Sequence, residues 1–340
     1  MEKINWGIIG LGRIANIFAN SFKNVNNSNL VAVASKNKKR LNIFKEKYEI
    51  DNEYAFNDYN ELINCNKVDI VYIALPHNLH SIFIKNCIKS NKNILVEKPA
   101  TITSAQIIEI NKLLNNKKLF FAEAFMYLFH PQTELLLKLI KDKKIGDVTQ
   151  LETQFGFNII KKGFLRYIKS MFFKEDRLLN KSLGGGSMLD IGCYTTSFSI
   201  LLSKLKNNSD IKKLKIYDKK LLLNNSGVDI EVSATLDFCN GFKSKIFSSF
   251  KKNLSQISVI KGTSGEIVIK NSWHCEPSKI VCNGKEYNVE NNIYKNVYSH
   301  EIDKVSRCIL NGRSSPEYPA FNRLDSENNM KIIDRLIYEK

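Results

Sequence analysis

No stretch of this sequence approaches the roughly 20 consecutive apolar residues that a membrane-spanning helix needs, so a helical membrane protein is excluded and no membrane partner is expected. Cysteine occurs seven times, an odd number, without a CxxC pair. The nearest two, Cys275 and Cys282, match no common zinc spacing. Free thiols in a reducing compartment are expected. Histidine is scarcer still, with five copies, none at ligand spacing, so no metal is expected. His77 and His80 read as structural or cofactor-adjacent residues. His130, just before Pro131, reads as a helix-capping or packing residue. Arginine supplies only eight of the 51 basic residues behind the net charge of +17. No arginine cluster interleaves with aromatics, and neither helix-turn-helix nor zinc-finger spacing occurs, so no nucleic-acid partner is expected. The positive field would still favour an anionic cofactor or substrate on approach. The first residues, Met1 to Gly7, show no apolar leader and no small-residue cleavage site, and a cytoplasmic location is expected.

What is present is an ordinary globular composition, 43% hydrophobic and 25% charged over 340 residues, with only six prolines. That length suits two domains. Residues 4–121 alternate short apolar runs with amphipathic segments. Strands are predicted at 4–9, 30–34, 69–75, 93–96 and 119–122, and helices at 13–23, 38–48, 79–89 and from Thr103 or Ser104 onward. The run 69–75 is almost continuously apolar, as befits a central strand buried on both faces. Repeated βαβ units of this kind predict a doubly wound parallel sheet.

The pattern changes beyond Ala122. A helix at 132–141, a strand at 148–157 and a helix at 186–202 precede alternating runs at 214–222, 229–238, 243–251, 256–260, 266–269 and 279–289. Thr263-Ser264-Gly265 reads as a hairpin turn. Helices at 298–310 and 326–338 close the chain. The expectation is an α/β protein: residues 1–122 a Rossmann domain, residues 123–340 an α+β domain with a large, predominantly antiparallel open sheet.

Four motifs carry chemistry. Gly10-Leu11-Gly12-Arg13-Ile14-Ala15 follows the first strand and opens the first helix. Gly10 permits the tight turn, Gly12 admits a pyrophosphate close to the backbone, and Ala15 allows tight helix–strand packing. After the second strand, Ser35-Lys36-Asn37-Lys38-Lys39-Arg40 contains no acid. A carboxylate there would bind a ribose 2′-hydroxyl, whereas a hydroxyl and cations suit a 2′-phosphate. NADP is favoured over NAD on this ground, although the same lysines also fit a solvated helix face. Glu97-Lys98-Pro99 ends a strand where ligands of open α/β sheets bind, and a lysine there can stabilise charge on a reacting oxygen. Finally, Gly184-Gly185-Gly186 leads into Ser187-Met188-Leu189-Asp190-Ile191-Gly192-Cys193-Tyr194, the glycines read as allowing close backbone approach and a flexible lead-in. Asp190 and Tyr194 stand four apart, hence on one face of a predicted α-helix. A phenol of reference pKa about 10 beside an ammonium makes a usable proton carrier.

Together these segments resemble the glucose-fructose oxidoreductase / inositol dehydrogenase / rhizopine-catabolism (Gfo/Idh/MocA) family. Gly10–Ala15, Ala74-Leu75-Pro76-His77-Asn78-Leu79-His80, Glu97-Lys98-Pro99 and Gly262-Thr263-Ser264-Gly265 carry the resemblance. Glu123-Ala124-Phe125-Met126-Tyr127-Leu128-Phe129-His130-Pro131-Gln132 and Asp190–Tyr194 look most like the branch with dimeric dihydrodiol dehydrogenase and D-xylose dehydrogenases. The resemblance implies Lys98 and Tyr194 as the catalytic pair with Asp190 in support. It implies a cofactor site of Gly10, Gly12, Arg13, Ile14, Ser35, Lys36, Arg40, Pro76, Asn78, His80, Glu97 and Lys98. The implied reaction moves a hydride between NADP, or NAD, and a secondary alcohol of a sugar, polyol or diol. Leu128 departs from the branch, which usually has Arg there. A sugar-nucleotide or amino-sugar dehydrogenase and a non-catalytic NADP sensor are the alternatives. A homodimer or homotetramer through the C-terminal sheet is expected, with residues 159–176 shaping specificity.

Overall fold

The first strand, β1 (Ile4–Ile9), is buried along nearly its whole length and pairs on both edges, with β2 (Ser28–Ala34) and β4 (Ile70–Ile73). With β3 (Ala55–Phe56), β5 (Asn93–Glu97) and β6 (Phe121–Ala124) these form one parallel sheet in the order β3-β2-β1-β4-β5-β6. That is the doubly wound arrangement expected. β3 and the short helix α3 (Tyr59–Asn64) are not among the predicted elements; two strand residues and one and a half turns are too short to show a period. The other helices of this part are α1 (Arg13–Asn20), α2 (Lys38–Lys47), α4 (His77–Lys89) and α5 (Ser104–Leu114). This computed structural model describes residues 2–159, 177–206, 210–289 and 292–339. Apart from Ile159, the segment expected to shape specificity lies outside the described residues.

The chain divides into two units: Met1–Thr101, Ala105–Phe129 and Ile293–Ser326 form the first, and Ile102–Ser104, His130–Asn292 and Glu327–Lys340 the second. The first unit is therefore closed by a late segment of chain. Trp6 is fully buried, and its indole N–H donates to the Ser306 hydroxyl at 2.9 Å. Ser28 Oγ lies 2.8 Å from the same hydroxyl, and Ser299 donates to the Ser21 carbonyl at 2.8 Å. An indole N–H inside a core needs such an acceptor, because an unmade hydrogen bond is expensive there. Phe18 stacks on Tyr72 at 3.8 Å, filling the space beneath.

In the second unit, helix α6 (Pro131–Lys141) precedes eight strands: β7 (Val148–Gly156), β8 (Lys215–Leu223), β9 (Asp229–Asp237), β10 (Lys243–Ser249), β11 (Ser258–Gly262), β12 (Glu266–Ile269), β13 (Lys279–Cys282) and β14 (Lys285–Asn288). They form a sheet ordered β14-β13-β12-β11-β7-β10-β9-β8. Its middle strand, β7 (Val148–Gly156), runs parallel to β10 (Lys243–Ser249) and antiparallel to β11 (Ser258–Gly262); every other pairing is antiparallel. The predominantly antiparallel sheet is as predicted. Residues 279–289, predicted as one strand, instead form a hairpin of β13 (Lys279–Cys282) and β14 (Lys285–Asn288). Asn283 and Gly284 turn it with φ of +49° and +78°. Asn-Gly is the strongest two-residue hairpin signal a sequence carries, so this turn was legible. The hairpin from β11 to β12 (Glu266–Ile269) forms around Thr263–Gly265 as expected.

Ser306→Ala strands the buried Trp6 indole N–H and removes a hydroxyl partner of Ser28. We expect it to lower unfolding free energy by about 1–3 kcal/mol, measured by urea titration of tryptophan fluorescence. A change below about 0.5 kcal/mol, ordinary for a surface site, would show the tie to be unimportant.

Candidate active site

Strand order reverses between β1 and β4, and ligands of open α/β sheets bind at the carboxyl side of such a switch. Gly10 lies just beyond β1 with φ +89°, and a Cβ there would stand 2.5 Å from the Ala74 carbonyl oxygen. Only glycine tolerates both the backbone and the approach. Gly12 begins α1, and no heavy atom lies within 4 Å of where its Cβ would be. No side chain caps α1, and none caps α4, whose first turn starts at Pro76. By contrast, α2, α3 and α6 are capped by Asn37, Asp58 and His130. The starts of α1 and α4 thus keep the positive ends of their helix dipoles clear of a capping side chain. Asn78 Oδ1 in the first turn of α4 is buried without a hydrogen-bond partner. Open space at Gly12 and two helix starts without a side-chain cap fit a dinucleotide phosphate.

The other nucleotide candidates surround this point. Arg13 is exposed and Ile14 half-buried in the first turn of α1. Ser35 is buried, its hydroxyl oxygen accepting from the Asn37 N–H at 3.2 Å. Lys36 and Arg40 are exposed, with Lys36 Nζ 5.7 Å from the centre of the Tyr59 ring. The exit of β2 therefore presents cations and no carboxylate.

At the exit of β5, Glu97 is buried and accepts a short hydrogen bond from the Tyr72 hydroxyl. Lys98 follows at the carboxyl end, joined to Pro99 by a cis peptide. His80 is fully buried, with Nδ1 2.8 Å from the Pro99 carbonyl and Nε2 2.8 Å from the Leu75 carbonyl. It ties the exits of β4 and β5 together, consistent with the structural or cofactor-adjacent role expected of it.

Two buried acids here are missed by sequence reasoning. Glu123, in β6, accepts from the Ala100 N–H at 2.8 Å. Burial pushes its carboxyl up to about 7, against the opposing pull of that N–H and of the Lys98 charge. Glu301, on helix α8 (Val297–Leu310), is fully buried, and neither carboxyl oxygen has a hydrogen-bond partner. Burial first, and then the Glu97 charge, drives its carboxyl well above the usual range. Burial and both Glu97 and Glu301 likewise raise the Tyr72 and Tyr298 phenols. The available signal was an acid set within an otherwise apolar run: Phe-Ala-Glu-Ala for Glu123, and the apolar stripe of α8 for Glu301.

In the second unit, the predicted helix at 186–202 begins differently. Met188–Gly192 form a π turn, and α7 (Cys193–Ser203) follows. Asp190 lies inside the wide turn and Tyr194 in the α-helix beyond it, so ideal four-residue spacing does not describe the pair. Such insertions recur at functional sites. Both side chains are buried, and Arg177 Nη2 lies 3.8 Å from Asp190 Oδ1. The Tyr194 ring is held between Phe155 (5.6 Å, edge-on) and Trp273 (5.5 Å, tilted), with the Trp273 indole donating to the Gln154 carbonyl at 3.2 Å. The triple glycine is no flexible lead-in: a Cβ on Gly185 would meet three backbone carbonyl oxygens, from residues 177, 178 and 180, at 2.7–2.8 Å. These glycines serve close packing of the chain on itself. Leu128 is fully buried. His130 is the expected cap, Nδ1 accepting from the Gln132 N–H at 3.1 Å. All seven cysteines are free. Among the described residues no helix is long and apolar enough to cross a membrane, and no group of three or more His, Cys, Asp or Glu could hold a metal.

The family model described as "Oxidoreductase family, NAD-binding Rossmann fold" matches residues 4–125. The GFO/IDH/MocA C-terminal domain model matches residues 134–268. Trans-1,2-dihydrobenzene-1,2-diol dehydrogenase of Xenopus tropicalis is 28% identical over 345 residues, covering 98% of this chain and 97% of the relative. The Homo sapiens enzyme of that name is 26% identical over 330 residues, covering 93% and 91%. Among solved structures, aldose-aldose oxidoreductase from Caulobacter crescentus complexed with glycerol gives a TM-score of 0.82 at 22% identity, covering 98% and 96% of the two chains. KijD10, a 3-ketoreductase from Actinomadura kijaniata in complex with NADP and TDP-benzene, gives 0.80 at 20% identity, covering 98% and 97%. These structural likenesses establish the fold.

Because the Glu123 carboxyl titrates higher folded than unfolded, its contribution to stability is full below about pH 4.5 and is lost as pH rises through about 7. Glu123→Gln removes that dependence. Between those limits, the stability of the variant relative to the parent should rise by up to about 1.4 kcal/mol per pH unit, read from urea unfolding at several pH values. Parallel pH curves would refute the assignment.

Proposed function

The chain belongs to the GFO/IDH/MocA family of NAD(P)-binding oxidoreductases, and on that premise we propose reversible NADP-dependent oxidation of a secondary alcohol on a sugar, polyol or related diol. Full-length similarity to the trans-1,2-dihydrobenzene-1,2-diol dehydrogenases carries the reading. Its substrate is a small molecule.

Gly10, Gly12, Arg13 and Ile14 hold the pyrophosphate through the backbone at the start of α1. Ser35, Lys36 and Arg40 take the 2′-phosphate, supported by the cationic, acid-free exit of β2. Pro76, Asn78, His80, Glu97 and Lys98 form the nicotinamide side. When bound, the cofactor supplies the hydride chemistry. Tyr194 takes the proton of the substrate hydroxyl during oxidation and returns it during reduction. Lys98 donates a hydrogen bond to the same oxygen and stabilises the charge that develops on it. Asp190 orients the group. We assign a cytoplasmic homodimer or homotetramer formed through the open sheet, a reading supported by the free cysteines and by the largely solvent-facing edge strand β8 (Lys215–Leu223).

Tyr194→Phe and Lys98→Met should each lower kcat by about 10²–10⁴-fold while NADPH binding persists. Turnover of sugars, polyols and trans-1,2-dihydrobenzene-1,2-diol, followed by cofactor absorbance, measures it; a loss smaller than about tenfold contradicts the acid–base assignment. Arg40→Ala should raise the KM for NADP by about tenfold, the worth of one charge-assisted phosphate bond, and leave the KM for NAD unchanged. Preference of the parent protein for NAD would overturn the reading of residues 35–40.

A further inference from the structure

One buried carboxylate of the second unit has no part in the proposed chemistry. Asp229 opens β9 (Asp229–Asp237) and is 3% exposed. Its Oδ2 accepts from the Met188 backbone N–H at 2.7 Å and from the Ser187 hydroxyl at 2.9 Å. Its Oδ1 lies against Gly186, where φ is +128° and a Cβ would stand 2.1 Å from that oxygen. Ser187 Oγ is also 3.1 Å from Ser248 Oγ, and the Ser248 hydroxyl lies 3.3 Å from Met188 Sδ. Gly186, Ser187 and Met188 are thus fastened to β9 and β10 where the π turn starts.

That fastening governs the residues immediately downstream. The N–H groups at the head of a helix lack partners within it, and Asp229 takes that of Met188. A carboxylate there also faces the positive end of the helix dipole. Burial pushes the Asp229 carboxyl up to about 6, while the Met188 N–H and the Ser187 hydroxyl pull it back. At neutral pH the acceptor is the charged form, the stronger one. Two residues past Met188 stands Asp190, and the π turn hands over to α7 one residue before Tyr194. A lateral shift of the anchored residues would carry the phenol with it, and a small misplacement of a catalytic group is costly.

We propose that Asp229 is a positioning residue for the Asp190–Tyr194 segment, fixing the start of the π turn from the sheet and thereby setting where the Tyr194 hydroxyl stands. The inference rests on the assignment of Tyr194 as the acid–base group.

The test is a double-mutant cycle on the full chain, with trans-1,2-dihydrobenzene-1,2-diol and NADP as substrates, or whichever alcohol the first assay identifies. Asp229→Ala should lower kcat by about 30-fold or more, an effect of the size that misplacing a catalytic group produces, and leave the KM for NADP unchanged. Asp229→Asn keeps an acceptor for both donors and should recover most of that loss. Introduced into Tyr194→Phe, Asp229→Ala should cause no further loss, because it acts through the phenol. An independent readout is the ¹⁹F resonance of Tyr194 in protein carrying 3-fluorotyrosine, identified by its disappearance in Tyr194→Phe. It should move in Asp229→Ala and return in Asp229→Asn. Should Asp229→Ala fail to fold, Gly186→Ala, which drives a methyl into the carboxylate, takes its place with the same expectations. A folded Asp229→Ala with unchanged kcat and resonance, or losses that simply add in the double variant, overturns the inference. A fully active Tyr194→Phe instead removes the acid–base reading, and the inference with it.

Discussion

Everything at the nucleotide side hangs on one close approach. The hydrogen of Gly10 faces the Ala74 carbonyl where any larger group would collide, so the loops leaving β1 and β4 touch at the point where strand order reverses. Because they touch, α1 and α4 begin side by side, and both begin uncapped. His80 then ties the exit of β4 to that of β5 through two carbonyls, which places Lys98 in the same neighbourhood. One steric requirement at a single residue thus brings two helix N-termini without side-chain caps and a lysine to one end of the sheet. A set of that kind suits a polyanion and little else.

The second theme is the use of buried acids. Glu97, Glu123 and Glu301 lie in the first unit and Asp229 in the second, and each is buried. The last three differ in state according to their donors. Glu301 has no hydrogen-bond partner, and its carboxyl is driven well above the usual range. Glu123 has a backbone N–H and hovers near neutrality. Asp229 has two donors and keeps its charge at physiological pH. Burial raises each of these three, and hydrogen bonds to Glu123 and Asp229 pull those two part of the way back.

Much of this was legible in the sequence, for identifiable reasons. The apolar runs of β1, β2, β4 and β5 are long enough to show, and Gly10–Ala15 marks the turn and helix start after the first of them. The phosphate-binding end of the fold was legible because its chemistry is local: glycines and small residues within six positions. The π turn at Met188–Gly192 was not legible, because a 3.6-residue period passes through an inserted residue without marking it. The glycines at 184–186 were visible, but their cause lies in residues 177–180 and Asp229, which only folding brings near. Asp229 itself begins a strand and looks, in sequence, like any turn aspartate. Burial is a property of the tertiary structure, so acids that matter by being buried stay hidden until the fold is known.

The tie between Trp6, Ser28 and Ser306 has a further meaning for how this molecule comes into being. The first sheet is specified by residues that leave the ribosome early, yet α8, which carries its closing hydroxyl, emerges only after the whole second sheet has been made. At ordinary translation speeds that interval is on the order of ten seconds. Throughout it the Trp6 indole, which packs on Phe18 and Phe22 from the same early stretch, lacks the hydroxyl that accepts its N–H. Synthesis order and fold order disagree here: the first unit is complete only when residues 293–326 have been added to it.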